Sequence, residues 1–427
     1  DFPLDELRLF FVNNTPLPLP IRIKQSGDIL LTIDKDYFIY SDTLEPYTTT
    51  HILRIQRQIA GLQGQAVLFN THIQNATIEF EINQKILLTA NNSTLSFGAT
   101  LNTITLPLQS DNHIHRSDIL QNNNLTAELA FKASHKGKYD DIYYSLTPPY
   151  EPATLNSSFN KLSVLTYNIW ALPYVATAIK DRLSLMPPFL AQYDVLLLQE
   201  AFALEHENLI DTLQENYGYT YATKMLDNPQ INVFNGGVIL LSRYPIVNEA
   251  QYFFPDCAGT DCLADKGINY MEIIKNGRAY HVFSTHMASF NNATARQNRL
   301  RQLQQLRDFT QSLNIPKNEM VIYGGDFNIN KTLFPDDYQQ MLSILNTTEP
   351  HYKGYTKATF DPFINQHAKA FGSGSDHIEY LDYILVSNEY APSHSVTNNV
   401  RIPRSTHAAF WRLWDLSDHF PVEAFIE

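Results

Sequence analysis

The chain has 427 residues, of which 44% are hydrophobic, 12% aromatic and 18% charged, and its formal net charge is −13. Such a length predicts two or three domains, and the balance is that of a folded protein, not a low-complexity one. No apolar run approaches the roughly 18–20 residues a membrane span needs, and the acidic balance excludes a chain that coats nucleic acid by charge alone, though not a nuclease whose cations supply the positive charge.

Residues 1 to about 155 carry no long helical periodicity. Strand-like runs recur between turn residues at Leu7–Val12, Ile29–Ile33, Tyr37–Tyr40, Ala66–Phe69, Ala76–Ile82, Ile86–Thr89, Ala127–Phe131 and Ile142–Leu146. From Thr77 to Ile82 the residues alternate with period two, the pattern of a half-buried antiparallel strand. Short strands punctuated by Pro and Asn predict an all-β, sandwich-like domain over 1–150. His113 and His115 are spaced for a metal on one strand face, but solvated surface histidines suit the pattern better.

Pro148 to Pro152, followed by Ser and Asn residues, predicts a linker over 151–160. The second domain, 161–427, follows a different pattern. Leu162–Tyr167 and Asp194–Gln199 are continuous apolar runs, as in strands buried on both faces. Phe202 to about Gln214 reads as a helix, and Gly237–Leu241 and Ala279–Ser284 as strands. Between Thr294 and Leu313, apolar residues three or four apart predict an amphipathic helix. Met320 to Gly324 forms the next strand, with Gly325 expected to turn the backbone and present Asp326 and Asn328 on one side. Tyr383–Val386 and a segment from Phe420 complete the set. Strands alternating with helices predict a layered α/β domain.

Cys257 and Cys262 are the two cysteines of the chain. Five residues apart with no other thiol, they suit a small disulfide-closed loop in an exported protein, with two reduced thiols as the competing reading. A zinc site lacks the second pair it would need. The sequence begins at Asp1 without Met, as a processed or trimmed chain would.

The polar residues of the second domain fall in a pattern. Asn168, Glu200, His286, Asp326, Asn328, Asp382, Asp418 and His419 each stand at or next to the end of an apolar strand. One such residue is a turn former; eight in one domain form a site, because strand ends hold side chains still. Several carboxylates together need a compensating cation. With two histidines, two asparagines and no Gly-x-Ser-x-Gly elbow, the set points to metal-assisted phosphoryl chemistry.

Leu165 to Trp170, Leu198-Gln199-Glu200, Ser284-Thr285-His286, Gly325 to Asn328, Leu381-Asp382-Tyr383 and Ser417 to Val422 resemble, in order, the motif set of the endonuclease/exonuclease/phosphatase (DNase I-like) superfamily. The resemblance covers about residues 160–427 and implies a four-layer α/β/β/α sandwich. Asp256 to Gly267 further resembles the Gly-x-Asp-x-Leu-Ala-x-Lys-Gly signature of neutral sphingomyelinases, and Asn168 to Pro173 is similar to their opening motif. Without that likeness Lys266 reads as solvated; with it, Lys266 takes a structural or phosphate-facing role.

The resemblance implies Mg²⁺-dependent hydrolysis of a phosphodiester, with Mn²⁺ or Co²⁺ as substitutes, acting on sphingomyelin to give ceramide and phosphocholine. It implies Glu200 with Asn168 as cation ligands, Asp418 supporting a second cation or the His419 backbone, and His419 as general base oriented by Asp382. Asp326 and Asn328 would position water and phosphoryl oxygens, and His286 would stabilise developing charge. The segment Arg401–Leu416 holds two of the three Trp with interleaved Arg; this mixture suits a bilayer interface. Relatives carry a membrane-dipping hairpin in this interval, which makes Phe410, Trp411 and Trp414 the expected membrane contacts. The expectation is therefore a secreted, monomeric enzyme at membranes that takes no nucleic acid. The competing readings are a DNase I-like nuclease, an inositol-phosphate phosphatase, and a catalytically idle lipid- or host-binding member of the fold.

Overall fold

The structure is a computed structural model that describes residues 6–56, 64–88, 94–99, 102–107, 113–121, 123–136, 139–150, 160–228, 234–371 and 377–427. The expected linker, apart from Asn160, lies outside these residues. The chain forms two compact units, Asp1–Tyr150 with Thr406–Arg412, and Glu151–Ser405 with Leu413–Glu427.

The first unit contains two six-stranded sheets. At the heart of one, Glu6–Asn13 lies between Tyr139–Thr147, to which it runs parallel, and the antiparallel Thr49–Gln56. Leu7, Leu9 and Phe11 point into a core shared with Phe69, Ile82, Phe131 and Tyr144, as the period of two requires. Leu19–Gly27 and Thr49–Gln56 are strands that the apolar-run reading passed over, because Arg, Lys, Gln and His interrupt them. The expected strand at Ile29–Ile33 is absent apart from a single bridge between Ile33 and Tyr37. His115 packs its ring against Phe131, with centroids 5.6 Å apart.

In the second unit a seven-stranded and a five-stranded sheet lie at the centre. Their inner faces share one core, including Val164, Leu197, Leu240, Val282, Ile322 and Ile384. The helices Ile179–Leu185 and Glu205–Asn216 pack together in one outer layer, and Ala293–Ser312 with Pro335–Leu345 in the other. The result is the expected four-layer α/β/β/α sandwich. Leu162–Asn168, Val195–Gln199 and Met320–Asp326 are buried along their whole lengths, which explains their unbroken apolar sequences. The long helix starts where the Asn292 side chain accepts from the Ala295 amide at 2.9 Å, a standard N-cap. Ile246–Phe253 and Gly267–Lys275 escaped the sequence reading.

The backbone does not turn at Gly325, contrary to expectation: the strand continues through Asp326. Its φ is 143°, and a Cβ there would lie 2.1 Å from the Thr285 carbonyl oxygen. Glycine is needed because the two strands carrying His286 and Asp326 approach closely, and only glycine leaves the space. Gly325→Ala is expected to destabilise the protein by at least about 2 kcal/mol. Urea unfolding tests this, and an unchanged midpoint would reject the account.

Candidate active site

Two parallel strand pairs bring the site together. In the seven-stranded sheet, Leu162–Asn168 and Val195–Gln199 run parallel, with Asn168 opposite Gln199 and Glu200 next along the chain. In the five-stranded sheet, His286 pairs with Asp326, and Asp326 with Asp382. Directly opposed residues project from the same face about 5 Å apart, so His286, Asp326 and Asp382 stand side by side. The loop after Leu416 supplies Asp418 and His419.

The contacts are close. Asp382 Oδ2 accepts from His419 Nδ1 at 2.9 Å, since a carboxylate can only accept. His419 Nε2 lies 3.7 Å and His286 Nε2 3.4 Å from Asp326 Oδ2. From the facing sheet, Asn168 Nδ2 donates to the same Asp326 oxygen at 3.0 Å, and Asn168 Oδ1 accepts from the Trp170 amide. Asp326 Oδ1 accepts from the Asn328 amide at 3.0 Å, and Asn328 Nδ2 donates to the Met287 carbonyl at 2.8 Å. All of these are buried except Asn328 and Glu200, which are half-buried.

Burial, then the neighbouring Asp382, pushes the Asp326 carboxyl up to about 7. Burial does the same to Asp418, also to about 7, and raises Glu200. Burial alone would lower His419, but Asp382, Asp326 and Asp418 outweigh it and hold the imidazole well above its usual range. His286 behaves oppositely. Burial, then the charges of Lys266 and His419, drive it well below its usual value, so it is a neutral imidazole at working pH. The two histidines are thus set for different tasks.

A hard divalent cation fits these residues. The donors are carboxylate and amide oxygens with imidazole and no thiolate, and the acids are held uncomfortably close. Buried Asp382 Oδ1 and His286 Nδ1 find no hydrogen-bond partner among the described residues. Asp326, Asp382 and His419 each place a ligand-type atom within 4.8 Å of the others.

Lys266 makes structural contacts. It is buried, paired with Asp261 Oδ1 at 2.9 Å, and it donates to the Met287 carbonyl and Ser289 Oγ, each at 3.1 Å. Asp261 Oδ2 also accepts from the Ser289 amide at 2.8 Å. Cys257 and Cys262 are disulfide-bonded and close the loop that carries Asp261.

In the expected membrane segment, Arg404 and Asp415 form an antiparallel bridge, the Ser405 amide donates to the Trp414 carbonyl at 2.9 Å, and the intervening loop holds a short 3-10 turn, Ala408–Phe410. Phe410 and Trp411 are half-buried, and Trp414 is only 6% exposed. A buried ion pair, Arg404 to Asp415 at 2.8 Å, straps the ends of the segment together, and Gln366 Oε1 accepts from the Trp414 amide. An indole held there has no face to offer a bilayer.

Two contributors went unnoticed in the sequence. Asp261 was visible within the Lys266 segment but unassigned. Arg182, fully buried, donates to the carbonyls of Ile169, Trp170, Thr177 and Leu416. It ties the Asn168 strand end to the segment before Asp418 and His419. Its acceptors are all backbone, so no side-chain pattern announces it.

Residues 165–419 match the endonuclease/exonuclease/phosphatase family. The chain belongs to that family. It is 33% identical over 263 residues to a sphingomyelinase C of Listeria ivanovii, covering 56% of this chain and 77% of the relative. It is 32% identical over 314 residues to a sphingomyelinase C of Bacillus cereus, covering 66% and 93%. A beta toxin variant from Staphylococcus aureus, solved with bound magnesium ions, superposes with a TM-score of 0.58 at 28% identity, over 62% of this chain and all of that one.

The Asp261–Lys266 pair yields a stability prediction. Asp261→Ala leaves the buried ammonium without its carboxylate and is expected to cost about 3–5 kcal/mol. Chemical denaturation measures it; a loss under 1 kcal/mol, on the order of an exposed pair, would show that the pair does not brace the loop.

Proposed function

We propose that the protein is a secreted, Mg²⁺-dependent phospholipase C that hydrolyses sphingomyelin to ceramide and phosphocholine. The observation that carries this reading is the His419–Asp382 pair set beside Asp326 and His286, in a chain whose relatives are sphingomyelinases C. The Cys257–Cys262 disulfide suits an oxidising, extracellular setting.

With the carboxylates that keep His419 protonated offset by a bound cation, Asp382 fixes the neutral tautomer, with Nε2 as the acceptor of the attacking water's proton. Asp326 lies within reach of that nitrogen and orients the water. The water oxygen forms a bond to phosphorus as the bond to the ceramide oxygen breaks in line. Neutral His286 donates a hydrogen bond to the charge that develops on phosphoryl or leaving oxygen. Asn328 has one N–H committed to Met287, and its second is available to a phosphoryl oxygen. Glu200 and Asn168 would hold the cation, with Asp418 in support. A bound divalent cation supplies charge neutralisation of the phosphodiester and lowers the carboxyl pKa values around it. We propose that the enzyme works as a monomer on lipid and does not take nucleic acid.

Sphingomyelin vesicles and plasmid DNA, each with Mg²⁺ and with EDTA, test the assignment. Phosphocholine release only with Mg²⁺, with intact DNA, is expected; nicked DNA and untouched lipid would replace the lipase reading by a nuclease one. His419→Ala is expected to lower turnover by about 10²–10⁴-fold at unchanged far-UV circular dichroism. A loss of less than tenfold would remove His419 as the base.

A further inference from the structure

We propose that five exposed apolar side chains, Tyr174, Leu204, Leu263, Phe290 and Phe363, form a collar around the active site that seats it on a zwitterionic lipid surface. The inference rests on the lipid-hydrolase reading, and it moves the membrane contact away from Phe410, Trp411 and Trp414.

Each side chain lies on a loop adjoining a site residue. Tyr174 follows Asn168, Leu204 follows Glu200, and Phe290 follows His286. Leu263 sits beside the Lys266 brace, and Phe363 lies just beyond Phe360, whose ring meets His419 at 5.6 Å. Tyr174 is fully exposed, Leu204 77%, Phe363 65%, Phe290 51% and Leu263 47%, so these large apolar groups meet water.

The loops close into a circuit. The Ala203 amide donates to the Ala171 carbonyl at 2.8 Å, joining the Leu204 and Tyr174 loops. Phe202 packs on Phe234, whose amide donates to the Leu263 carbonyl at 3.0 Å. Asp261 holds the Ser289 amide, which brings the Leu263 segment to Phe290. Asn291 Nδ2 donates to Glu379 Oε1 at 3.2 Å, and Glu379 pairs by backbone with Phe360. Asn365 Nδ2 donates to the Ser417 carbonyl at 2.8 Å, and Ser417 Oγ donates to the Asn168 carbonyl at 2.5 Å, which returns to the start. Asn168, Glu200, His286 and His419 all stand on the segments this circuit joins.

Two of the five are held outward at a conformational cost. Tyr174 and Phe290 have φ of 67° and 74°, a region bulky residues avoid unless the surroundings impose it. Exposed apolar groups gathered around a site mark a membrane or ligand face. Charge selects between lipid types. The ionic residues on and flanking these loops include Asp181, Glu205, Glu207, Asp361 and Glu379, against Lys180, Lys357 and Lys369, and the chain carries −13 overall. An acidic rim does not favour an anionic bilayer; it fits a neutral, zwitterionic one, into which aromatic and aliphatic side chains insert.

The test combines Tyr174→Ser, Leu204→Ser, Phe290→Ser and Phe363→Ser, all at exposed positions outside the catalytic set. Co-sedimentation with sphingomyelin/phosphatidylcholine vesicles in EDTA reads binding without turnover. Hydrolysis of a short-chain sphingomyelin below its micellar concentration, with Mg²⁺, reads the chemistry alone. The expected result is at least a tenfold loss of vesicle partitioning with monomer turnover within twofold of wild type, and no gain in binding from added phosphatidylserine. Equal partitioning of variant and wild type overturns the collar, as does binding that rises with phosphatidylserine and vanishes in high salt. If the wild type fails to cleave the monomeric lipid, the lipid-hydrolase reading fails, while the partitioning experiment still decides the collar.

Discussion

Several acids are packed into a largely buried seam between two sheets, and much of the second unit answers to that constraint. Asp326 and Asp382 are neighbours in register, Asp418 lies on the adjoining loop, and Glu200 approaches from the facing sheet. Like charges this close cannot all ionise without compensation. The protein supplies part of it through the His419 imidazolium and through two fixed cations nearby, Lys266 and Arg182, both buried. Neither fixed cation bonds an acid of the cluster. Lys266 is spent on Asp261, and Arg182 on backbone carbonyls. Both therefore act on the site through position and field, which leaves the acids short of positive charge and receptive to a divalent cation.

The same shortage explains why two histidines at one site behave oppositely. His419 is flanked by carboxylates, which hold its proton; His286 is buried and faces positive neighbours, which expel it. A hydrolase needs one group that exchanges a proton and another that donates a hydrogen bond without becoming a charge of its own. The strand register delivers that division: His286 lies on the far side of Asp326 from Asp382, so only His419 gains the orienting carboxylate.

How much of this could be read in the sequence depended on the kind of interaction. Each of Asn168, Glu200, His286, Asp326 and Asp382 follows or opens an apolar run, and a strand buried on both faces announces itself as such a run. The layered fold was legible for the same reason. Leu19–Gly27 was not, because one of its faces carries Arg22, Lys24 and Ser26 and breaks the pattern. Gly325 was legible as a required glycine but for the wrong cause, since the strand passing at Thr285 is separated from it by forty residues of sequence. Arg182 was invisible because carbonyl oxygens are present at every residue. The Trp-rich segment was only partly legible, because aromatic and basic residues together describe an internal strap as well as an interface: Arg404 pairs with Asp415 beside the buried Trp414, while Phe410 and Trp411 stay half-buried.

The acid seam and the apolar loops around it place opposite demands on one end of a sheet sandwich. Buried charges require rigid walls, and the register of His286, Asp326 and Asp382 provides them. The loops beyond carry groups that water disfavours, and they stay in place only because each is tied to its neighbour and to the site itself. Ser289 shows how tightly the two are joined. Its amide is held by Asp261 and its hydroxyl by Lys266, while the next residue is the exposed Phe290 in a left-handed conformation. Two residues earlier, Met287 accepts from Asn328. The loop under Phe290 is thus anchored at Ser289 and Met287, so the outer ring stands on a segment that the site's own hydrogen bonds already hold in place.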